Sequence, residues 1–506
     1  MNKFQTIIFA SAEGRGGPPS TTAGPYKIAT ELRNAGISCQ IIHHLHIFSY
    51  SELGIILDKL MGNQTILIGF STVFWSHFPN KNQNHLKNKT NYIVNYVLSR
   101  YPNCKIIGGG GSAGLLVNFK FQRLDALFEG YPEEILIEYI QNLKNKTPIP
   151  LPDDTILGLN NSVTNIYKQR NNINLNFQNS KIIYAPEDYV RSNDTAVIEI
   201  GRGCIFKCKF CAFPLNGKKN FDYIKTAQCI QEELIDNYEK YQIQNYIISD
   251  DTFNDSMYKL DLLYNMIIKL PFKIKFSCYL RLDLLNSHRE QIDMLQEMGL
   301  AGTFFGVETF YKKSASLIGK GLDPDKAKQL LHDLKHTHWK NDVKVAIGLI
   351  TGIPYETYES YEETKKWILS EENLIEQIRA NALFIPSPGT VHDPNISLFQ
   401  QESQKYGFYW TDVSNNWKNI NGPIKSYQES LAIEKDLNLA IQSSCRELQG
   451  GFNIFQTWRS SPIIDPTQSF NDLLKMDRFQ YSTWYKNTYT RSNIEKIYQH
   501  YKENFL

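Results

Sequence analysis

The sequence predicts an α/β protein with a doubly wound parallel sheet, then a partial (β/α)6 barrel of TIM type, then a mainly helical cap. Three observations carry this prediction. Short apolar runs alternate with helical patterns over the first 145 residues, the alternation resumes for six repeats from Ala196, and it fades after about residue 395. Parallel strands covered by crossover helices are buried on both faces, so they read as continuous apolar runs.

The first domain spans residues 1–145. Its apolar runs are Thr6 to Ala10, Gln40 to Ile42, Ile66 to Phe70, Lys105 to Gly108 and Ala126 to Phe128. Helix candidates lie between them near 25–35, 51–60, 90–100 and 133–144, each ending near Gly, Asn or Pro. Five strands with intervening helices make a complete Rossmann-like domain. Residues 146–190 begin with Pro148, Pro150 and Pro152 and continue into an Asn-rich stretch without periodicity, which reads as a surface linker. The second domain, 191–395, has strand patterns at 196–201, 244–249, 273–280, 302–308, 344–350 and 380–385. Ligands in such folds sit at the carboxyl ends of strands, so the residues just after each run matter most. The last segment, 396–506, holds Trp410, Trp417, Trp458 and Trp484, four of the seven tryptophans, which suits an aromatic-rich, mainly helical domain.

Composition narrows the function. Lys and Arg total 54 against 52 Asp and Glu, so no chain-wide field draws the protein onto duplex nucleic acid. No apolar run reaches the roughly 18 residues of a membrane span, and Met1-Asn2-Lys3-Phe4-Gln5 leads into a strand pattern, so a cytoplasmic protein is expected. Eight cysteines in 506 residues do not make a disulfide framework. Nucleophile-elbow, H-E-x-x-H and phosphate-loop motifs are absent. His336 and His338 stand two apart on a helical pattern, which points their rings away from each other.

Cys204, Cys208 and Cys211 form a C-x3-C-x2-C group directly after the first strand of the second domain. Zinc sites pair cysteines as C-x2-C and need a second pair, which this chain lacks. Iron–sulfur clusters normally take four thiolates, so three would leave one iron open to a ligand.

This loop resembles the signature of the radical S-adenosylmethionine (SAM) superfamily. Asp250-Asp251-Thr252-Phe253, Gly306-Val307-Glu308-Thr309, Gly348 to Pro354 and Pro388-Gly389-Thr390 follow in that family's order. The resemblance implies a [4Fe-4S] cluster on Cys204, Cys208 and Cys211, with SAM chelated at the open iron. Reductive cleavage of SAM would give a 5′-deoxyadenosyl radical that abstracts hydrogen from an unactivated C–H bond, the electron coming from a donor such as flavodoxin or ferredoxin. It implies SAM contacts at Phe210, Asp250, Asp251, Arg281, Glu308, Gly352 and Pro354. Loop packing for Phe210, a helix N-cap for Asp251, an ion pair for Glu308 and a surface position for Arg281 are the competing readings. The Asp250-Asp251 segment departs from the Gly-Gly-Glu-like sequence of many relatives.

The first domain resembles the B12-binding domain of the cobalamin-dependent branch through Gly24 to Gly36, Ile68 to Thr72, Ile106 to Gly110 and Glu129 to Glu134. The resemblance implies cobalamin contacts at Ser71, Thr72, Gly108, Gly109 and Gly110; tight turns of a degenerate sheet are the alternative. The D-x-H-x-x-G motif is absent, and His43, His44 and His46 follow the wrong strand to replace it. With cobalamin the implied reaction is methyl transfer to carbon; without it, rearrangement, cyclisation or sulfur insertion. A noncatalytic metal- or cluster-binding interaction protein is the reading from another class. The substrate is not readable from the sequence, and small molecules, peptides and local RNA sites stay open. Trp410, Trp417, Tyr406, Phe408 and Tyr409 either stack on it or form core, and core is the ordinary role of such aromatics.

Overall fold

A computed structural model describes residues 3–10, 22–71, 83–110, 123–149, 156–160, 163–167, 176–190, 195–212, 217–387, 397–411, 417–444, 446, short pieces between 472 and 487, and 491–506. It divides into two compact units, Met1–Ser192 with Arg491–Leu506, and Asn193–Thr490.

In the first unit β1 (Thr6–Phe9), α1 (Ala23–Asn34), β2 (Cys39–Ile42), α2 (Tyr50–Leu60), β3 (Leu67–Ser71), α3 (Gln83–Arg100), β4 (Lys105–Gly110), β5 (Leu124–Glu129) and α4 (Glu133–Asn145) alternate as expected. The strand order is β2-β1-β3-β4-β5, extended by β7 (Val163–Tyr167) and β6 (Ile156–Asn160). All pairs are parallel except β6 with β7. The order reverses between β1 and β3, the place where doubly wound sheets open a ligand crevice. Ile7, Ile68, Ile106, Ala126 and Leu127 are fully buried, which accounts for the apolar runs. Helix α2 buries Leu53, Gly54, Ile56, Leu57 and Leu60 and starts with a capping box between Ser49 and Glu52.

The 146–190 linker reading needs correction. Its β7 joins the edge of β5, and β6 folds back on β7. Farther on, Asp188 accepts both guanidinium nitrogens of Arg33 at 2.7 and 2.8 Å. The final helix, Arg491–Phe505, belongs to this same unit and not with the residues just before it. Phe505 lies edge-on to Phe48 and Tyr189, Tyr501 lies on His44 at 4.6 Å, and Tyr498 is 2.9 Å from His46 Nε2.

The second unit runs β8 (Thr195–Glu199), α5 (Ala227–Tyr241), β9 (Asn245–Ser249), α6 (Met257–Ile267), β10 (Lys275–Leu280), α7 (Leu282–Ser287), α8 (Gln291–Glu297), β11 (Leu300–Glu308), α9 (Lys312–Ile318), α10 (Pro324–Asp333), β12 (Lys344–Thr351), α11 (Tyr358–Leu369) and β13 (Gln377–Ala382). Its six strands lie side by side in sequence order, all parallel, with β8 and β13 as the two edges. The barrel is therefore partial. After it come α12 (Leu398–Gln401), the pair β14 (Phe408–Tyr409) and β15 (Lys418–Asn419), and α13 (Tyr427–Ser443). Helix α13 closes the β13 edge: Glu434 accepts the Ala382 N–H at 2.9 Å, and Asn438 both accepts from and donates to the Ala380 backbone. Tying up edge groups in this way removes a template for strand pairing.

Among the described residues no helix is long and apolar enough to cross a membrane. Trp417 is fully buried, with Tyr406 and Phe408, in a core that also holds Ile318, Ile353, Leu383, Ile385 and Phe399. These three aromatics are core. Tyr409 is exposed, Trp410 packs against that core, and Trp458 lies outside the described residues.

Candidate functional site

Strand β8 ends at Glu199, and the three cysteines lie on the loop that follows, all half-buried and outside any disulfide. Backbone hydrogen bonds shape this loop: Lys218 N–H to Cys204 O, Cys211 N–H to Cys208 O, and Lys209 N–H to Ile318 O. Phe399 of α12 donates to Lys209 O, so the segment after the barrel also holds the loop. The Cys204 sulfur lies 3.3 Å from the Thr252 hydroxyl just beyond β9. Burial pushes the Cys204 thiol up to about 11, so its ionisation calls for a cation at the sulfur.

Arg281, directly after β10, reaches the same loop. Its Nη1 donates to Cys208 Sγ at 3.3 Å, and its plane lies 3.8 Å over the Phe206 ring. The rest of the fork is held by Asp283 at 3.0 and 2.6 Å and by Gly319 O at 3.1 Å. Among the described residues no three His, Cys, Asp or Glu side chains converge on a single ion. Thiolates spread along one loop fit a polynuclear cluster, where each binds its own iron.

The other predicted positions fall around the same strand ends with different commitments. Asp250 is buried and faces inward. One of its oxygens accepts the Thr252 N–H at 2.9 Å, and the other stands 2.8 Å from Lys259 Nζ. Lys259 is fully buried, also pairs with Asp255 at 3.4 Å, and donates to Thr252 O. This cation fixes the turn that carries Thr252 to Cys204. Asp251 instead accepts from the Gly203 backbone beside Cys204; burial, then the neighbouring Asp250 charge, raise its carboxyl to about 7. It is not a helix cap, because Ser256 caps α6.

Glu308 ends β11 in the left-handed region at φ +70°. Its carboxylate lies 3.5 Å from Lys320 Nζ, and burial raises its pKa against that cation. Gly352 has φ +85°, and a Cβ there would stand 2.6 Å from Ser430 Oγ and 2.9 Å from Trp417. Its bare backbone is thus required by α13 and Trp417. Pro354 is buried and accepts the Ser314 hydroxyl at 2.8 Å. Phe210 packs on the Trp417 core.

In the first unit Ser71 ends β3, and Gly108, Gly109 and Gly110 end β4 beside it; Gly110 has φ +128°. Thr72 and the loops after β1, β3 and β4 lie outside the described residues, as does Pro388-Gly389-Thr390. His43 stacks on Tyr26 at 4.9 Å, and His44 and His46 meet Tyr501 and Tyr498. His336 and His338 are exposed.

Sequence reasoning missed Thr252, Lys259 and Glu356. Glu356 is buried, accepts hydroxyls from Thr309 after β11 and Tyr361 of α11, and thereby joins the ends of β11 and β12. No periodicity signals such contacts, which form between strands far apart in sequence.

Residues 198–368 match the radical SAM superfamily. That stretch is about a third of the chain. The cofactors of that superfamily are a [4Fe-4S] cluster and SAM. An uncharacterised methyltransferase of Pyrococcus horikoshii is 28% identical over 171 residues, 34% of this chain and 36% of that protein. The match thus spans about a third of the length of that relative. Among solved structures, the radical SAM methyltransferase TsrM from Kitasatospora setae, with cobalamin and a [4Fe-4S] cluster bound, is similar at TM-score 0.62 and 11% identity, covering 98% of this chain and 99% of that one. The cobalamin-dependent SAM radical enzyme OxsB, with aqua-cobalamin and SAM bound, is similar at TM-score 0.59 and 15% identity, covering 98% and 72%. At these identities the likeness is one of fold, and it takes in the doubly wound unit as well as the radical SAM barrel.

Proposed function

We propose that the protein is a radical SAM enzyme that methylates an unactivated carbon of a small molecule or peptide, with cobalamin as methyl carrier. The observation that supports the reading best is the pairing of two open strand ends in one chain: the three-cysteine loop after β8, and the glycine-rich end of β4 beside Ser71 at the reversal of a doubly wound sheet. Cys204, Cys208 and Cys211 would hold the cluster. Asp251, beside the loop, would accept from the SAM ammonium, and Glu308 would meet the ribose or amino group. Phe210 and Pro354 would border the adenine. When bound, the cluster would supply the electron for reductive cleavage of SAM, and cobalamin would supply the methyl group. Ser71, Gly108, Gly109 and Gly110 would border cobalamin. The barrel's own task is to orient these groups and exclude water. A flavodoxin or ferredoxin in the cytoplasm would deliver the electron.

Anaerobic reconstitution tests the reading. The expected outcome is about four irons with sulfide per chain, a bound corrinoid spectrum, and formation of 5′-deoxyadenosine. Cys208→Ala should lose the cluster and all SAM cleavage. A loaded cluster with SAM turnover but no corrinoid binding would move the reaction to rearrangement, cyclisation or sulfur insertion. One zinc and no sulfide would end the enzymatic reading.

A further inference from the structure

The structure assigns Arg281 to the cluster and not to the SAM carboxylate: we infer that its guanidinium holds the Cys208 thiolate by a hydrogen bond and thereby sets the reduction potential of the cluster. The inference rests on the reading that the three cysteines carry iron. Five N–H donors lie in the guanidinium plane, and the contacts around it account for most of them. Nε and Nη2 run to the Asp283 carboxylate, Nη2 also to Gly319 O, and Nη1 to Cys208 Sγ at 3.3 Å. Asp283 fixes the fork as a bidentate partner, and the Phe206 ring supports its face from within the cysteine loop. The side chain is buried, 6% exposed, so water scarcely competes for the sulfur. A donor aimed at a ligand sulfur stabilises the extra negative charge of the reduced cluster and raises its potential. A planar fork is needed to bind carboxylate, carbonyl and sulfur at once, which an ammonium does not reproduce.

The test is a redox titration of the reconstituted full chain followed by electron paramagnetic resonance, comparing wild type, Arg281→Lys and Arg281→Gln. Iron and sulfide in the wild type check the underlying reading separately. The expected result is a midpoint potential shifted to more negative values in Arg281→Gln, a smaller shift in Arg281→Lys, and a KM for SAM close to that of the wild type. An unchanged potential with a raised KM for SAM would overturn the inference and return Arg281 to the SAM carboxylate. If Arg281→Gln fails to load iron, Asp283→Asn keeps the guanidinium but frees its fork. That variant removes the carboxylate that offsets the guanidinium charge and should shift the potential to more positive values, and a wild-type potential in it would equally overturn the inference.

Discussion

Replacing Glu356 by Gln should leave the protein about as stable as wild type below pH 4.5 and increasingly more stable than wild type as pH rises, with the full gain reached above pH 8. Glu356 is 3% exposed and bonded to Thr309 and Tyr361, while Tyr361 also accepts the Gly352 N–H at 2.7 Å. Burial raises its carboxyl from 4.5 to about 8, outweighing the hydrogen bonds that favour the anion. The sign follows from linkage. An acid whose pKa is raised in the folded state contributes stability that is whole below 4.5 and is lost progressively as pH rises to about 8. The separation between 4.5 and about 8, at about 1.4 kcal/mol per pH unit, amounts to about 5 kcal/mol across the window. In the folded state at pH 7 the neutral form prevails by roughly ten to one, so an amide of the same shape substitutes for it with similar bonding, while the unfolded carboxyl is already ionised, and the variant should gain about 3 kcal/mol at that pH. Urea midpoints of wild type and Glu356→Gln, taken every half unit from pH 5.5 to 9.5, measure the difference directly, because other titrations cancel. Parallel profiles for the two proteins would refute the reasoning.

Two further outcomes follow from geometry. Gly352→Ala combines a left-handed φ of +85° with a Cβ 2.6 Å from Ser430 Oγ, so it should cost at least about 1–3 kcal/mol, read as a lower thermal midpoint; a wild-type midpoint would show that α13 gives way there. Truncation after Thr490 removes the partners of Phe48, His44 and His46. Amide exchange around residues 39–50 should accelerate while the β8–β13 sheet keeps its protection, and unchanged exchange at 39–50 would count against a packed helix.

Much of the fold was legible because parallel strands announce themselves. The runs at 6–10, 105–108 and 344–350 became strands within one or two residues. The hairpin of β6 and β7 was missed because Asn160, Asn161 and Asn165 break up runs such as Ile156-Leu157 and Val163 to Tyr167. The cysteine loop was legible because its ligands lie close together in sequence. The partners of Arg281 were not: Cys208 is 73 residues away and Gly319 is 38. Asp250 and Asp251 look alike in sequence, and only the fully buried Lys259 separates a structural carboxylate from one beside the cluster loop.

The return of Arg491–Phe505 to the first unit bears on the order of synthesis. Residues 193–490 emerge before that helix does, which at about 5–20 residues per second takes on the order of tens of seconds. During that interval the side chains of His44 and Phe48 lack the aromatic cover that Tyr501 and Phe505 later provide. The barrel unit can therefore mature on the ribosome first, and the amino-terminal unit, although made earlier, is the last to be completed.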